Sequence, residues 1–222
     1  MKLVAPFLAV VLLQALIAGL SLEVLSSVRA YVAGEAIWSR AQKNAVYNLS
    51  LYLGSSDINY FRQHKAAMAI PLGDQYARRA LEQNLPGVKL ARLGFLQGGN
   101  HIDDVRGLIW LFRYFKQVSY LKAAIAEWQA TDWMLLQLSV FGDAVDAEMK
   151  AGLLNRPDTL QNLSANLYDL NTQLTNRANT FSSVLGEGSR AIKTILTALN
   201  VVTATVLILL VVCCQERIHE TE

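Results

Sequence analysis

Residues 160–214 read LQNLSANLYDLNTQLTNRANTFSSVLGEGSRAIKTILTALNVVTATVLILLVVCC, and their two halves decide the fold. Leu160, Leu163, Leu167, Leu170, Leu174, Phe181 and Val184 recur at the spacing of one helix face, which predicts a bundle helix. From Ile195 the pattern changes to an uncharged apolar block ending at Cys214, interrupted only by threonines and Asn200. About twenty apolar residues rising about 1.5 Å each cover about 30 Å, the hydrocarbon thickness of a bilayer. One rod is therefore expected to join a bundle helix to a membrane helix.

A second apolar block occupies 3–22, interrupted by Pro6 and Gln14. These two ends explain why a 222-residue chain is 53% hydrophobic with a mean hydropathy of +0.26. The roughly 170 residues between them carry normal charge content, enough for one domain. The first block follows Lys2, as in a signal peptide, but its run is long and no Ala-x-Ala site follows, so it reads as an uncleaved signal-anchor. A signal-anchor places the N-terminus inside, the loop outside and the C-terminus inside. The flanking charges, Lys2, Arg190, Lys193 and Arg217, do little to confirm that sense. The net charge of +2 has no basic run behind it, so no nucleic-acid partner is expected. Both cysteines, Cys213 and Cys214, lie at the end of the second span, leaving the middle without a disulfide framework or a cysteine metal site.

Between the spans every segment reads as helix. Residues 23–53 lack proline and continue out of the first span, and Gly54-Ser55-Ser56-Asp57 closes them and caps the next helix. Residues 57–70 are helical, and Pro71 opens a continuation to Gln83. Pro86-Gly87 is a turn, 88–96 a short helix, and Gly98-Gly99-Asn100 its stop. Asp103 and Asp104 suit the first turn of a helix ending near Phe115. Residues 120–151 predict one long helix with a seam of Leu121, Ile125, Trp128, Leu135, Leu138, Val145 and Met149. Asn155-Arg156-Pro157-Asp158 turns into the last helix. No alternation or hairpin turn predicts a strand.

Geometry then sets the expected architecture. The first and last helices each start at the membrane and extend about 45 Å from it. The expectation is an all-α, membrane-anchored up-down-up-down bundle with a segmented second leg. Its parts are a transmembrane signal-anchor at 1–22, an extracytoplasmic bundle at 23–191, a second transmembrane helix at 192–214 and a short cytoplasmic tail at 215–222.

Three clusters carry chemistry. His101 with Asp103 and Asp104 has metal-ligand residue types, but adjacent acids point to different sides of a helix, and a capped helix start with a solvated histidine explains the same residues. Arg29, Glu35, Trp38, Arg40 and Lys43 form a second cluster; Asp74, Arg78 and Arg79 form a third. Arginine offers a bidentate fork and tryptophan an apolar wall, a combination that suits a small anion in a bundle. Solvated charges and core tryptophans are the plainer explanation. No nucleophile elbow, phosphate loop or zinc signature occurs. The sequons Asn48-Leu49-Ser50 and Asn162-Leu163-Ser164 fall inside predicted helices and read as chance. Gly186-Glu187-Gly188 is either a flexible joint or a close approach to the first helix.

Three stretches, Gly34-Glu35-Ala36-Ile37-Trp38-Ser39-Arg40-Ala41-Gln42-Lys43, Pro71-Leu72-Gly73-Asp74 and Gly94 to Asp104, give the chain a resemblance. Over about residues 1–214 it resembles the two-transmembrane, helical periplasmic sensor regions found at the N-termini of bacterial GGDEF/EAL proteins and sensor histidine kinases. The resemblance implies a dimeric, ligand- or stress-sensing bundle on the periplasmic side of the bacterial inner membrane, and it brings no catalytic residues. No output module follows the second span, so a truncated receptor or a separate cytoplasmic partner is expected. The expected function is a non-enzymatic transmembrane sensor input module without cofactor or metal. Its expected partners are the lipid bilayer, a second copy of itself and an unidentified small ligand or envelope protein. The expected ligand-binding residues are Trp38, Arg40, Lys43, Arg78, His101 and Arg113. The alternative is a membrane-anchored protein-interaction module that regulates a separate partner.

Overall fold

The computed structural model describes residues 4–83, 87–153 and 157–220, and among these every regular element is an α-helix. The order is α1 (Val4–Ser55), α2 (Ile58–Glu82), α3 (Gly87–Gln97), α4 (Ile102–Phe115), α5 (Ser119–Ala130), α6 (Asp132–Lys150) and α7 (Pro157–Glu220). Lys2, Leu3, the turn residue Pro86 and the turn residues Asn155 and Arg156 lie outside the described residues.

The stops are made by the residues that the sequence offers. Ser56 turns the chain with a φ of 59°, and the Asp57 carboxylate then accepts from the Asn59 N–H at 2.9 Å to cap α2. α2 runs through Pro71 as one helix. Gly99, at φ 77°, ends α3: its N–H donates to Leu96 O at 3.0 Å, and the Asn100 N–H donates to Phe95 O at 3.0 Å. That pair of bonds around a left-handed glycine is a Schellman stop.

Two expectations change. The single helix expected over 120–151 is two helices, α5 and α6, meeting at Thr131. Thr131 is fully buried, and both its N–H and its hydroxyl turn back to Trp128 O, at 3.1 and 2.7 Å. A hydroxyl that bonds the backbone competes with the helix ladder, and Asp132 just beyond is drawn to the arginines of α2. The bend lets α5 pack on α7 while α6 packs on α2. Gly186 and Gly188 lie inside the unbroken α7, not at a joint. The close approach at Gly188 is to α5: a Cβ there would lie 2.9 Å from Tyr120 Cβ.

α1 and α7 run antiparallel in contact. Asn200 meets Ser21, Phe181 meets Trp38 and Ser182 meets Glu35, so positions on one helix rise as those on the other fall. Two apolar cores fill the bundle. One holds Val28, Leu81, Phe95, Phe112, Leu121 and Leu185; the other holds Leu49, Met68, Leu135, Leu138 and Leu174. Beyond the cores α1 and α7 continue as apolar helices long enough to cross a membrane, with only 6% and 0% of their most apolar windows buried. Core helices of a soluble bundle would be covered there; these are bare.

Candidate functional site

Residues from three separated stretches, 34–38, 71–74 and 94–100, converge where the two cores meet. α1 contributes Gly34, Glu35 and Trp38; α2 contributes Asp74; the end of α3 contributes Phe95 and, past Gly98, Asn100. With Tyr31, Leu108, Trp128 and Phe181 they enclose a cavity of about 20 Å³, room for about one water-sized group.

Glycines make the convergence possible. A Cβ on Gly94 would lie 2.6 Å from Gly73 O, so α2 and α3 approach backbone to backbone. A Cβ on Gly98 would collide with the Asp74 carboxylate, and one on Gly34 would lie 2.6 Å from Asn100 Oδ1. Inside this cradle Asn100 Nδ2 donates to Asp74 Oδ1 at 2.8 Å and to Phe95 O at 3.0 Å. Asp74 is 4% exposed, and burial pushes its carboxyl well above the usual carboxylate range, with the Asn100 bond opposing. Burial, and then the Asp74 charge, hold the Tyr31 phenol far above its usual value, and its hydroxyl donates to Leu108 O at 3.0 Å.

Beside the cradle stands a stack. The Arg78 guanidinium lies 5.5 Å above the Trp128 ring, Trp128 stacks on Phe181 at 6.3 Å, and Phe181 meets Trp38 edge-on at 6.4 Å. Arg78 is 1% exposed and forks to Glu82 Oε1 at 2.6 Å and Asp132 Oδ2 at 2.5 Å. Arg79 reaches the same Asp132 oxygen at 3.0 Å. The indole N–H groups of Trp38 and Trp128, both in the cavity wall, have no hydrogen-bond partner on the protein. The centre therefore buries two unpaired indole donors close to a carboxyl held toward its neutral form.

No protein-family model, curated protein or solved structure matches this chain.

Of the residues expected to bind a ligand, Trp38 and Arg78 belong to this centre. Arg40 and Lys43 are exposed, and Lys43 edges an open groove between α1 and α7 with Tyr47 and Tyr168. His101 is exposed and caps α4, its Nδ1 accepting from the Asp103 N–H at 3.3 Å. Arg113 is exposed in the last turn of α4. Among the described residues no group of three or more His, Cys, Asp or Glu is placed to hold a metal. Tyr31, Asn100, Trp128 and Asp132 also belong to this centre, and little in their sequence neighbourhoods marks them as site residues. The usable signal for Asn100 was the glycine run before it, since glycines that crowd a polar residue mark close backbone approach.

Proposed function

We propose that this chain is the input part of a transmembrane sensor, non-enzymatic and working by movement of α7 against α1. In this reading the apolar ends of α1 and α7 cross the bacterial inner membrane, and 23–191 stand in the periplasm as an up-down-up-down bundle. Two copies pair, and an output domain or partner lies across the membrane. The observation that carries the reading is continuity. α1 and α7 each run without a break from a bare apolar end into the core, and both wall the small cavity beside Asp74, through Trp38 and Phe181. A change at that cavity has no hinge in which to dissipate before it reaches the apolar ends.

Coupling between two sites is reciprocal, so loosening the apolar ends must be felt at the cavity. Between them Asn200 Nδ2 donates to Ser21 Oγ at 2.7 Å, and Gln14 Nε2 donates to Asn200 O at 3.4 Å. Polar clasps of this kind hold membrane helices together, by about 1 kcal/mol each. Asn200→Val in the full chain in nanodiscs is expected to raise amide hydrogen exchange around Tyr31–Trp38 and Ala178–Leu185. Faster exchange confined to the neighbourhood of residue 200 would show that the ends are uncoupled from the core and would defeat the sensor reading.

The interaction-module reading has its own observation. Trp133, Leu136 and Val140, spaced along one face of α6, are 64%, 51% and 59% exposed and border a groove against α7. A photo-crosslinker at Leu136 separates the readings: a product with a second copy supports the paired sensor, and a stoichiometric product with another membrane protein supports the interaction module.

A further inference from the structure

A second cavity lies at the other end of the same core, where the bundle meets the apolar ends. It has a volume of about 240 Å³ and lies between α1, α4, α5 and α7, walled by Val24, Val28, Phe115, Leu121, Leu185 and Ile195 among others. The Tyr31 hydroxyl that borders it already donates to Leu108 O. A buried water needs two to four polar partners, whereas an apolar cavity of about 150 Å³ stays dry and takes a benzene-sized guest. This larger cavity therefore suits a larger apolar body, and its hydrocarbon walls lack packing partners without one.

Its position identifies the source of that body. Val24 lies two residues past the end of the first apolar block, just beyond Glu23, and Ile195 opens the second. In a chain that spans a bilayer the cavity abuts the hydrocarbon, and its walls continue the apolar faces of both spans. Exposed charges of both signs flank the wall residues in sequence, Lys122, Arg190 and Lys193 with Glu23 and Glu187.

We infer that this cavity takes one acyl chain of a bilayer phospholipid, so that the ligand of the sensor comes from the membrane itself. The inference rests on the membrane-spanning reading above. An occupying chain would sit between the start of α5 and the α7 segment that includes Gly188, against which Tyr120 packs. It would thus bear on the α5–α7 contact directly below the Trp128–Phe181 stack. Lipid content of the membrane would then set the spacing of α7 and α1.

The test uses the full chain reconstituted in phosphatidylglycerol–phosphatidylethanolamine vesicles carrying a trace of phospholipid with a diazirine in its acyl chain. Flotation comes first. A chain that fails to float with the vesicles is not a membrane protein, and both the sensor reading and this inference fall. For a chain that floats, photolysis and peptide mapping are expected to find adducts on Leu121 and Leu185, which line the cavity and are each 7% exposed. Leu185→Phe, which fills the cavity from α7, and Val28→Phe, which fills it from α1, should each reduce those adducts several-fold and leave labelling of 7–22 and 197–213 unchanged. Adducts confined to 7–22 and 197–213 in wild type overturn the inference while leaving the spans intact. So do Leu121 adducts that persist undiminished in both folded variants.

Discussion

Asp74 is a carboxyl group held among glycines, 4% exposed, with one amide as its hydrogen-bond partner. Its folded pKa lies above its unfolded value, so the native state binds the proton more tightly. The stability this contributes is full below the usual carboxylate pKa and is lost as pH rises through the folded value. Asp146 acts in the opposite sense. Burial would raise its carboxyl, but Lys150 and Tyr52 outweigh burial and hold it low, so its contribution is lost only as pH falls through that lowered value. Asp74→Asn keeps the acceptor for Asn100 and removes the ionisation. Its melting temperature should exceed that of wild type at neutral pH, and the difference should shrink as pH falls; parallel profiles would show that folding does not shift the Asp74 pKa. Arg78 gives a second prediction. Arg78→Met leaves Glu82 without its cation and Asp132 with Arg79 alone, and should cost about 1–3 kcal/mol in denaturant unfolding. A loss below about 1 kcal/mol would mean that water replaces the guanidinium, as at exposed pairs. Trp38 and Arg78 were legible in the sequence because large aromatic and forked cationic side chains announce themselves. Asn100 was not, because a residue after two glycines reads first as a turn, and only the packing of α3 on α2 turns it inward.

Helix by helix, what was legible followed from local chemistry. The Asp57 cap, the Gly99 stop and the α4 start are each made by the few residues around them. The break at Thr131 was illegible for the same reason: no glycine or proline marks it, and the residues that draw Asp132 away sit on α2, about fifty positions earlier in the chain. The partner of Gly188 was missed likewise, since nothing near it in sequence points to Tyr120. That contact makes a prediction for the α5–α7 pair. Gly188→Leu places a side chain where Tyr120 Cβ stands 2.9 Å from a Cβ, and overpacking of this kind costs about 1–3 kcal/mol. Tyr120→Gly, which removes that Cβ, should restore part of that loss. Additive losses in the double variant would show that the two residues do not share the contact.

For the whole molecule, the all-helical class and the two long apolar helices followed from periodicity and block length. The meeting of the three widely spaced polar stretches at one cavity did not, because no spacing rule links Gly34, Asp74 and Asn100. The account of the molecule stands on where the bundle lies relative to the bilayer. The direct measurement is labelling of single-cysteine variants by a membrane-impermeant maleimide in sealed right-side-out membrane vesicles, with Cys213 and Cys214 replaced by serine. Tyr168→Cys, exposed on the bundle part of α7, should label in intact vesicles, and Thr221→Cys should label only after detergent opens them. Labelling of both positions in intact vesicles, or of neither until they are opened, would contradict a bundle held on one side by two spans.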